Sequence, residues 1–364
     1  MSDVSDTRRS LGAAGDARRT GEVRSLPVEK RAGGEVSPQV RDSLDILRGA
    51  CGSNLQAVIF FGSVLLGTSP DGASAADLFV VVKDYLHFYR DVGSQLPAQR
   101  HLGIITSLNR VLPPNIIYLN DPAGMRAGAK CFVVSERDLM VGLSLAARDH
   151  FFRGRLSQRV ETVHARSAEV RGRVEEYLAM ARRLSLEWVP LYLPETFTVS
   201  DYCMRMLEVS YAGEIRPEAA TRVREVYEAQ RSFFRLVYGR ILDDAVAGGR
   251  LARDGERYRL AEPRSPREVR RWRRFFRRSK ARATLRWFKY VLTFDDWLDY
   301  IVLKTERRTG MRVELTQAER RLPILLLWPK VFRVLRHMKH APPGGKHGRR
   351  GESEGGETGA RGDT

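Results

Sequence analysis

The sequence predicts an α+β or α/β protein. A domain built on a mixed sheet is followed by a mainly helical domain, winged-helix-like in outline, and then by a basic amphipathic helical region. Three observations carry this reading. Up to about Val163, short apolar β-type runs alternate with stretches of helical spacing. From Ala165 the apolar residues recur every three or four positions. From Arg264 to Lys289 twelve Lys or Arg stand against one acid, Glu268, with Trp272, Phe275, Phe276, Leu285, Trp287 and Phe288 interleaved. The expected organisation is therefore a sheet domain over 39–163, a helical domain over 164–262 and a basic region over 263–340. The ends, 1–38 and 341–364, are Gly-rich, polar and charged, and read as disordered.

In order, Ser37–Ala50 is predicted to be a helix, with Val40, Leu44, Ile46 and Leu47 apolar. Val58–Phe61 and Leu78–Val82 are strands, joined through Gly62-Ser63 and a polar loop. Tyr85–Arg100 mixes aromatic and polar residues and reads as a helix or an active-site loop. Leu102–Val111 has helical spacing and ends at Pro113-Pro114. Asn115–Leu119 is a strand stopped by Asn120-Asp121-Pro122, and Lys130–Val134 is another. Ser135, with Asp138 three residues on, caps a helix through Ala147. Ala165–Leu186, Asp201–Tyr211 and Ala219–Ile241 are further helices, and Leu251–Leu260 is a small hairpin or wing. Apolar-basic helices are expected over Asp295–Lys304 and Leu322–Met338.

The chain has 364 residues and a net charge of +18, with hydrophobic content of 43%, that of a globular protein. So basic a chain calls for an anionic partner: nucleic acid, a nucleotide or an anionic membrane surface. Three distant cysteines, Cys51, Cys131 and Cys203, make neither a disulfide framework nor a zinc site, which favours a reducing compartment. No secretory signal is visible, and five acids among the first 29 residues argue against an organelle transit peptide. No run approaches the ~20 apolar residues of a spanning helix.

The chemistry concentrates at Gly62-Ser63 and Asp77. A strand that ends in Gly-Ser exposes backbone N–H groups to phosphate, and Gly lets the backbone approach it. An acid opening the next strand can hold a divalent metal beside them. The bland alternative is an ordinary turn. Enzymes that transfer nucleotidyl groups usually carry a second acid two residues after the first; here that position is Phe79, and Asp84 is the replacement candidate, against a plain helix cap. Lys130 is a candidate for neutralising triphosphate charge, and Arg153 and Arg155 for bidentate phosphate binding; the alternatives are a solvated strand end and a helix terminus. The histidines form no metal cluster.

These pieces, in order, resemble one family. Phe61-Gly62-Ser63 is similar to its aromatic-Gly-Ser turn, and Asp77-Leu78-Phe79-Val80 with Lys83-Asp84 to its D-F strand and acidic pair. Tyr118-Leu119-Asn120 is similar to its Tyr-Tyr-Asn strand end, and Lys130 to Ser135 with Asp138-Leu139 to its K-Y-G-V-I-S…D-L segment. Arg153-Gly154-Arg155-Leu156, Leu193-Pro194-Glu195-Thr196-Phe197 and Tyr211-Ala212-Gly213-Glu214-Ile215-Arg216 follow. The family is that of the mitochondrial phosphatidate cytidylyltransferases, the translocator assembly and maintenance family, and especially its bacterial-type relatives. The second-acid position is Phe in that family too. The chain departs from it in Lys83, which replaces one of the paired acids, and in Phe88-Tyr89 where the family has Trp-His.

The resemblance implies a nucleotidyltransferase fold and transfer of CMP from CTP to phosphatidate, with Mg²⁺, giving CDP-diacylglycerol and pyrophosphate. It assigns Gly62, Ser63, Asn120 and Ser135 to the nucleotide, Asp77 and Asp84 to the metal, Asp77 and Lys130 to catalysis, and Arg153 and Arg155 to the lipid phosphate. Arg264–Lys289 is expected to lie on an anionic membrane while Trp272, Phe276 and Trp287 insert, with no nucleic acid bound. The expected location is the inner face of a bacterial membrane, or the matrix side of the mitochondrial inner membrane in a eukaryote. Two other classes fit the same residues: a nucleotidyltransferase acting on RNA, protein or a small molecule, and a non-catalytic nucleic-acid-binding protein.

Overall fold

A computed structural model describes residues 37–69, 74–93, 102–119, 128–212, 220–293 and 315–317, with the backbone alone at 220, 287, 288 and 290–293. The chain forms two compact units, Met1–Asp295 and Asp296–Thr364. The helices and strands between Pro38 and Thr293 belong to the first. The helices expected over 295–304 and 322–338 and the expected disordered ends lie outside the described residues, except Ser37 and Pro38, which cap and open the first helix rather than being disordered.

Helix α1 (Pro38–Cys51) begins with proline in its first turn, where the missing N–H costs nothing, and turns Val40, Leu44, Leu47 and Cys51 inward. Strand β1 (Leu55–Phe61) is buried at every position. Helix α2 (Ser63–Leu66) is a single turn, and β2 (Ala76–Val82) follows. Helix α3 (Tyr85–Asp91) is capped by Asp84, whose side chain accepts from the His87 amide. Then come α4 (Leu102–Val111), β3 (Asn115–Leu119) and β4 (Ala129–Ser135). Ser135 caps α5 (Glu136–Leu143) as its spacing to Asp138 predicts, the hydroxyl accepting from the Asp138 amide at 3.1 Å. Helix α6 (Phe151–Leu156) leads to β5 (Glu161–Ala165), a strand that the sequence reading lacks, and α7 (Ala168–Arg183).

The strands order as β3-β4-β2-β1-β5. Only β2 and β4 pair in parallel, so the sheet is mixed as expected. Alternate residues serve two cores. Val58, Phe60, Leu78 and Val80 pack under α1 and α3; Ile59, Phe61, Phe79 and Val81 pack under α5, α6 and α7. A sheet covered on both faces explains why β1 and β2 read as unbroken apolar runs rather than alternating ones.

The rest of this unit is mainly helical, as its spacing predicts. Strand β6 (Thr196–Phe197), α8 (Val199–Ala212), α9 (Ala220–Glu228), α10 (Arg231–Ala247), β7 (Leu251–Asp254) and β8 (Arg257–Leu260) gather around Trp188, Phe197, Tyr202, Phe234 and Tyr238. The expected wing is a hairpin, β7–β8, to which β6 adds a third strand. The single helix expected over Ala219–Ile241 is two. At the break sits buried Gln230, whose amide donates to the Val226 carbonyl and to Gln158 and whose oxygen accepts from the Arg159 amide.

Helix α11 (Pro266–Thr293) packs on both parts. Trp272 enters the helical core. Ser279 accepts from the His150 amide at 2.9 Å. The guanidiniums of Arg282 and Arg286 both donate to Asp149 at 2.7 Å. Buried Lys289 donates to the carbonyls of Leu112 and Pro114 at 2.7 Å. This corrects the expected membrane insertion. Trp272 is only 7% exposed and is not available to a bilayer; Phe276, half-buried, packs on His150, Trp188 and Tyr192; the Trp287 side chain lies outside the described residues. Helix α11 turns Arg267, Arg270, Arg271, Arg273, Arg274, Arg277, Arg278 and Lys280 to solvent, with Leu285 exposed beyond them.

Burial by itself would raise the Asp149 pKa, but Arg286 and Arg282 outweigh it and hold the carboxyl below its ordinary value. Its stabilising contribution is thus present above the ordinary carboxylate pKa and is lost as pH falls through the lowered one. Asp149→Asn, which leaves two cations without their charge partner, is expected to cost about 3–5 kcal/mol in urea unfolding. It should also flatten the loss of stability that the unaltered chain shows below about pH 4.

Candidate active site

Four strands bring their residues into one row at a rim of the sheet. Phe61 of β1 pairs with Asp77 of β2, Asp77 with Lys130 of β4, and Lys130 with Tyr118 of β3. Asp77 is two residues from Phe79 and Lys130 two from Phe132, so both share the face of the α5–α7 core. The Lys130 ammonium lies 4.0 Å from the Asp77 carboxylate and 4.8 Å from the centre of the Phe132 ring. Phe61, Phe79 and Phe132 form the floor, with ring centres 4.7 to 5.3 Å apart.

Gly62 closes the row. Its φ is 87°, in the region that favours glycine, and a Cβ there would stand 2.5 Å from the Asp77 Oδ2. No other residue leaves room for the carboxylate at the turn. Ser63 opens α2, and the amides of Ser63, Val64 and Leu65 donate to no backbone carbonyl among the described residues. These are the donors that any helix start leaves unsatisfied. The turn is held from two sides: the Thr68 amide donates to the Ser63 carbonyl at 2.9 Å, and Arg222 of α9 donates to the Thr68 carbonyl at 2.8 Å and hydroxyl at 3.2 Å. Glu161 of β5 pairs with Phe60 on the far side of β1. Two strand spacings place its Cα about 10 Å from that of Asp77, on the same rim.

The structure thus gathers Gly62, Ser63, Asp77 and Lys130. It does not bring Asp84 or Ser135 to them. Each sits at the opposite end of its strand, and the seven residues from Asp77 to Asp84 span about 23 Å. Asp84 caps α3, accepts from the His87 ring nitrogen at 2.8 Å and meets Arg110 at 3.5 Å. The hydrogen bond from the His87 amide, first among several causes, lowers its pKa. It cannot share an ion with Asp77. Ser135 is occupied by its cap. Asn120 lies outside the described residues. Among the described residues no group of three His, Cys, Asp or Glu is placed to hold a metal ion.

The two arginines around Gly154 part company. Arg153 is 1% exposed, under Phe275 and Trp272 at 4.9 and 5.8 Å. Burial brings it down to about 10, and it is not available to a lipid phosphate. Arg155, half-buried, lies 3.9 Å over the Phe151 ring, whose centre is 6.0 Å from that of Phe132 in the floor. Sequence reasoning missed Arg222, and also Glu161, which meets Arg159 at 3.8 Å but, paired with Phe60, shares the α1–α3 face of the sheet rather than that of Asp77. The strand carrying Glu161 is short and half-buried, and Arg222 acts from 154 residues away, so neither leaves a local signal.

The five-stranded mixed sheet with its surrounding helices is consistent with a nucleotidyltransferase-like α+β fold. The chain matches the family model of phosphatidate cytidylyltransferase, mitochondrial, over residues 112–266, which bears out the resemblance over the motifs from Tyr118 to Arg216 and the assignment as an enzyme of that kind. The match takes in Lys130, Arg155 and Arg222; Gly62 and Asp77 precede it. No curated protein matches the chain.

Gly62→Ala must move either the turn or Asp77. We expect it to cost about 1–3 kcal/mol in chemical unfolding and to weaken nucleoside triphosphate binding, measured by calorimetry, about tenfold or more; unchanged binding would detach the turn from the site.

Proposed function

We propose that the rim transfers CMP from CTP to phosphatidate, releasing pyrophosphate, on a membrane surface. The observation that carries this is the single row of Gly62, Asp77 and Lys130 in a chain that matches the phosphatidate cytidylyltransferase family. The attacking oxygen of phosphatidate is already ionised, so no strong general base is needed; alignment and charge stabilisation at the α-phosphate are what the site must supply. The turn amides at Ser63, Val64 and Leu65 would receive the triphosphate oxygens. Lys130 would offset charge on the pyrophosphate as it leaves. Arg155, beside the aromatic floor, is the remaining candidate for the lipid phosphate.

The donor set fits Mg²⁺ in one particular way. Mg²⁺ binds through one or two carboxylates together with substrate phosphates and water, and Asp77, a quarter exposed at the rim, supplies one. Asp77 would hold an ion that arrives on the triphosphate and, once bound, neutralises its charge. In purified full-length protein with Mg²⁺, labelled CTP and phosphatidate vesicles, CDP-diacylglycerol is expected, and Asp77→Asn should lower the rate about a hundredfold or more. Consumption of CTP on RNA or another acceptor, with no lipid product, would sink the reading.

The outer face of α11 supports contact with an anionic surface chiefly by charge. Its exposed Lys and Arg side chains would contribute about 1 kcal/mol each near such a membrane, while Trp272 is taken into the core. A peripheral location on the inner face of a bacterial membrane, or the matrix side in a eukaryote, suits this. Among the described residues no helix is long and apolar enough to cross a membrane. Flotation with phosphatidylglycerol-containing vesicles should fall steeply with salt and be largely lost in Arg270→Glu/Arg274→Glu/Arg277→Glu; undiminished flotation would rule this surface out.

A further inference from the structure

At the far end of the sheet from Gly62 and Asp77 lies a cavity of about 470 Å³ that the proposed reaction leaves unused. The length of β2, about 23 Å, separates the two ends. Group transfer needs its reacting atoms within about 3–3.5 Å, so nothing bound here takes part in chemistry at the rim.

Six cations line this cavity, Lys83, Arg110, Arg137, Arg148, Arg282 and Arg286, against three acids. All three acids are spent within the wall. Asp138 accepts from the Tyr85 hydroxyl at 2.6 Å and the Ser135 hydroxyl at 2.8 Å. Asp149 takes Arg282 and Arg286, both at 2.7 Å. Asp84 takes His87 and, at 3.5 Å, Arg110. Among the described residues the side chains of Lys83, Arg137 and Arg148 have no hydrogen-bond or ionic partner, and all three residues are exposed. The mouth therefore carries three uncompensated cations, which repel one another unless an anion lies between them. Val111, Pro113, Val141 and Phe152 supply an apolar wall beside them. The volume is that of a small-molecule site, and guanidinium forks match phosphate oxygens in pairs.

From this geometry we infer that the cavity binds a phosphate-ester anion. The phosphate sits among Lys83, Arg137 and Arg148, and the carbon part lies against Val111 and Phe152. The ester is either a soluble phosphorylated metabolite or the headgroup of an anionic phospholipid. The inference rests on the far-end cavity and not on the reading of the rim.

The test uses the full-length protein and two probes: glycerol 3-phosphate by calorimetry, and phosphatidylcholine vesicles containing phosphatidylglycerol by co-sedimentation. Arg137→Glu/Arg148→Glu is expected to weaken binding of at least one probe about tenfold or more, while Asp77→Asn leaves that binding unchanged. Loss for glycerol 3-phosphate points to a soluble ester; loss for vesicles alone points to a lipid headgroup. In the unaltered protein the bound probe should shield Lys83 from acetylation, read by mass spectrometry, which localises the anion even if the double variant folds poorly. The inference is overturned if neither probe binds, if Lys83 stays unshielded, or if binding is lost in Asp77→Asn but kept in the double variant.

Discussion

A buried carboxylate with two arginines sets where α11 lies on the rest of the compact unit. Asp149, in the bend before α6, is covered by α11, and its charge is met by Arg282 and Arg286. Buried ion pairs of this kind contribute little net stability over apolar contacts of the same shape, but breaking one is costly. They act as a register device. With Arg286 fixed on Asp149, Ser279 falls on the His150 amide and Trp272 falls in the helical core, two steps of seven residues along one face. The position of α11 on both parts of the unit follows from that alignment.

The same alignment explains the basic surface. Among the described side chains, the inward positions of α11 take Trp272, Phe275, Phe276 and its hydrogen-bonding residues, and the arginines that remain face solvent. Sequence reasoning assigned both the aromatic and the basic residues of this stretch to one membrane-facing surface, because composition does not say which side of a helix is covered. The seven-residue spacing of Trp272, Ser279 and Arg286 held that information, but a serine and an arginine do not read as core.

Much of the sheet was legible because its strands are short, apolar and bounded by turn residues. The cap at Ser135 was legible because a capping serine and its acid are three residues apart in any helix. The rim was legible in part. Gly62, Ser63 and Asp77 lie within one hairpin, so local sequence contains them, and a motif names Lys130. Asp84 and Ser135 were drawn into the same site because they belong to the same motifs, yet a strand carries its two ends about 20 Å apart. Proximity in a motif is proximity in space only over a residue or two of extended chain. Arg222 and Glu161 were missed for the converse reason: they reach the rim through tertiary packing that no local pattern records.

The parallel pairing of β2 with β4 bears on how the rim comes to exist. Gly62 meets Asp77 across a hairpin, an early and local event. Lys130 stands 53 residues beyond Asp77 and reaches it only when the one parallel pairing of the sheet is made. Closing so long a loop has an entropic cost that comes before any contact rewards it, and such pairings form slowly. By loop length, the hairpin half of the rim is therefore expected to form before its lysine joins it. On that order, the charge balance of the site is a late product of folding, set by the crossover between two strands rather than by the turn that marks it in the sequence.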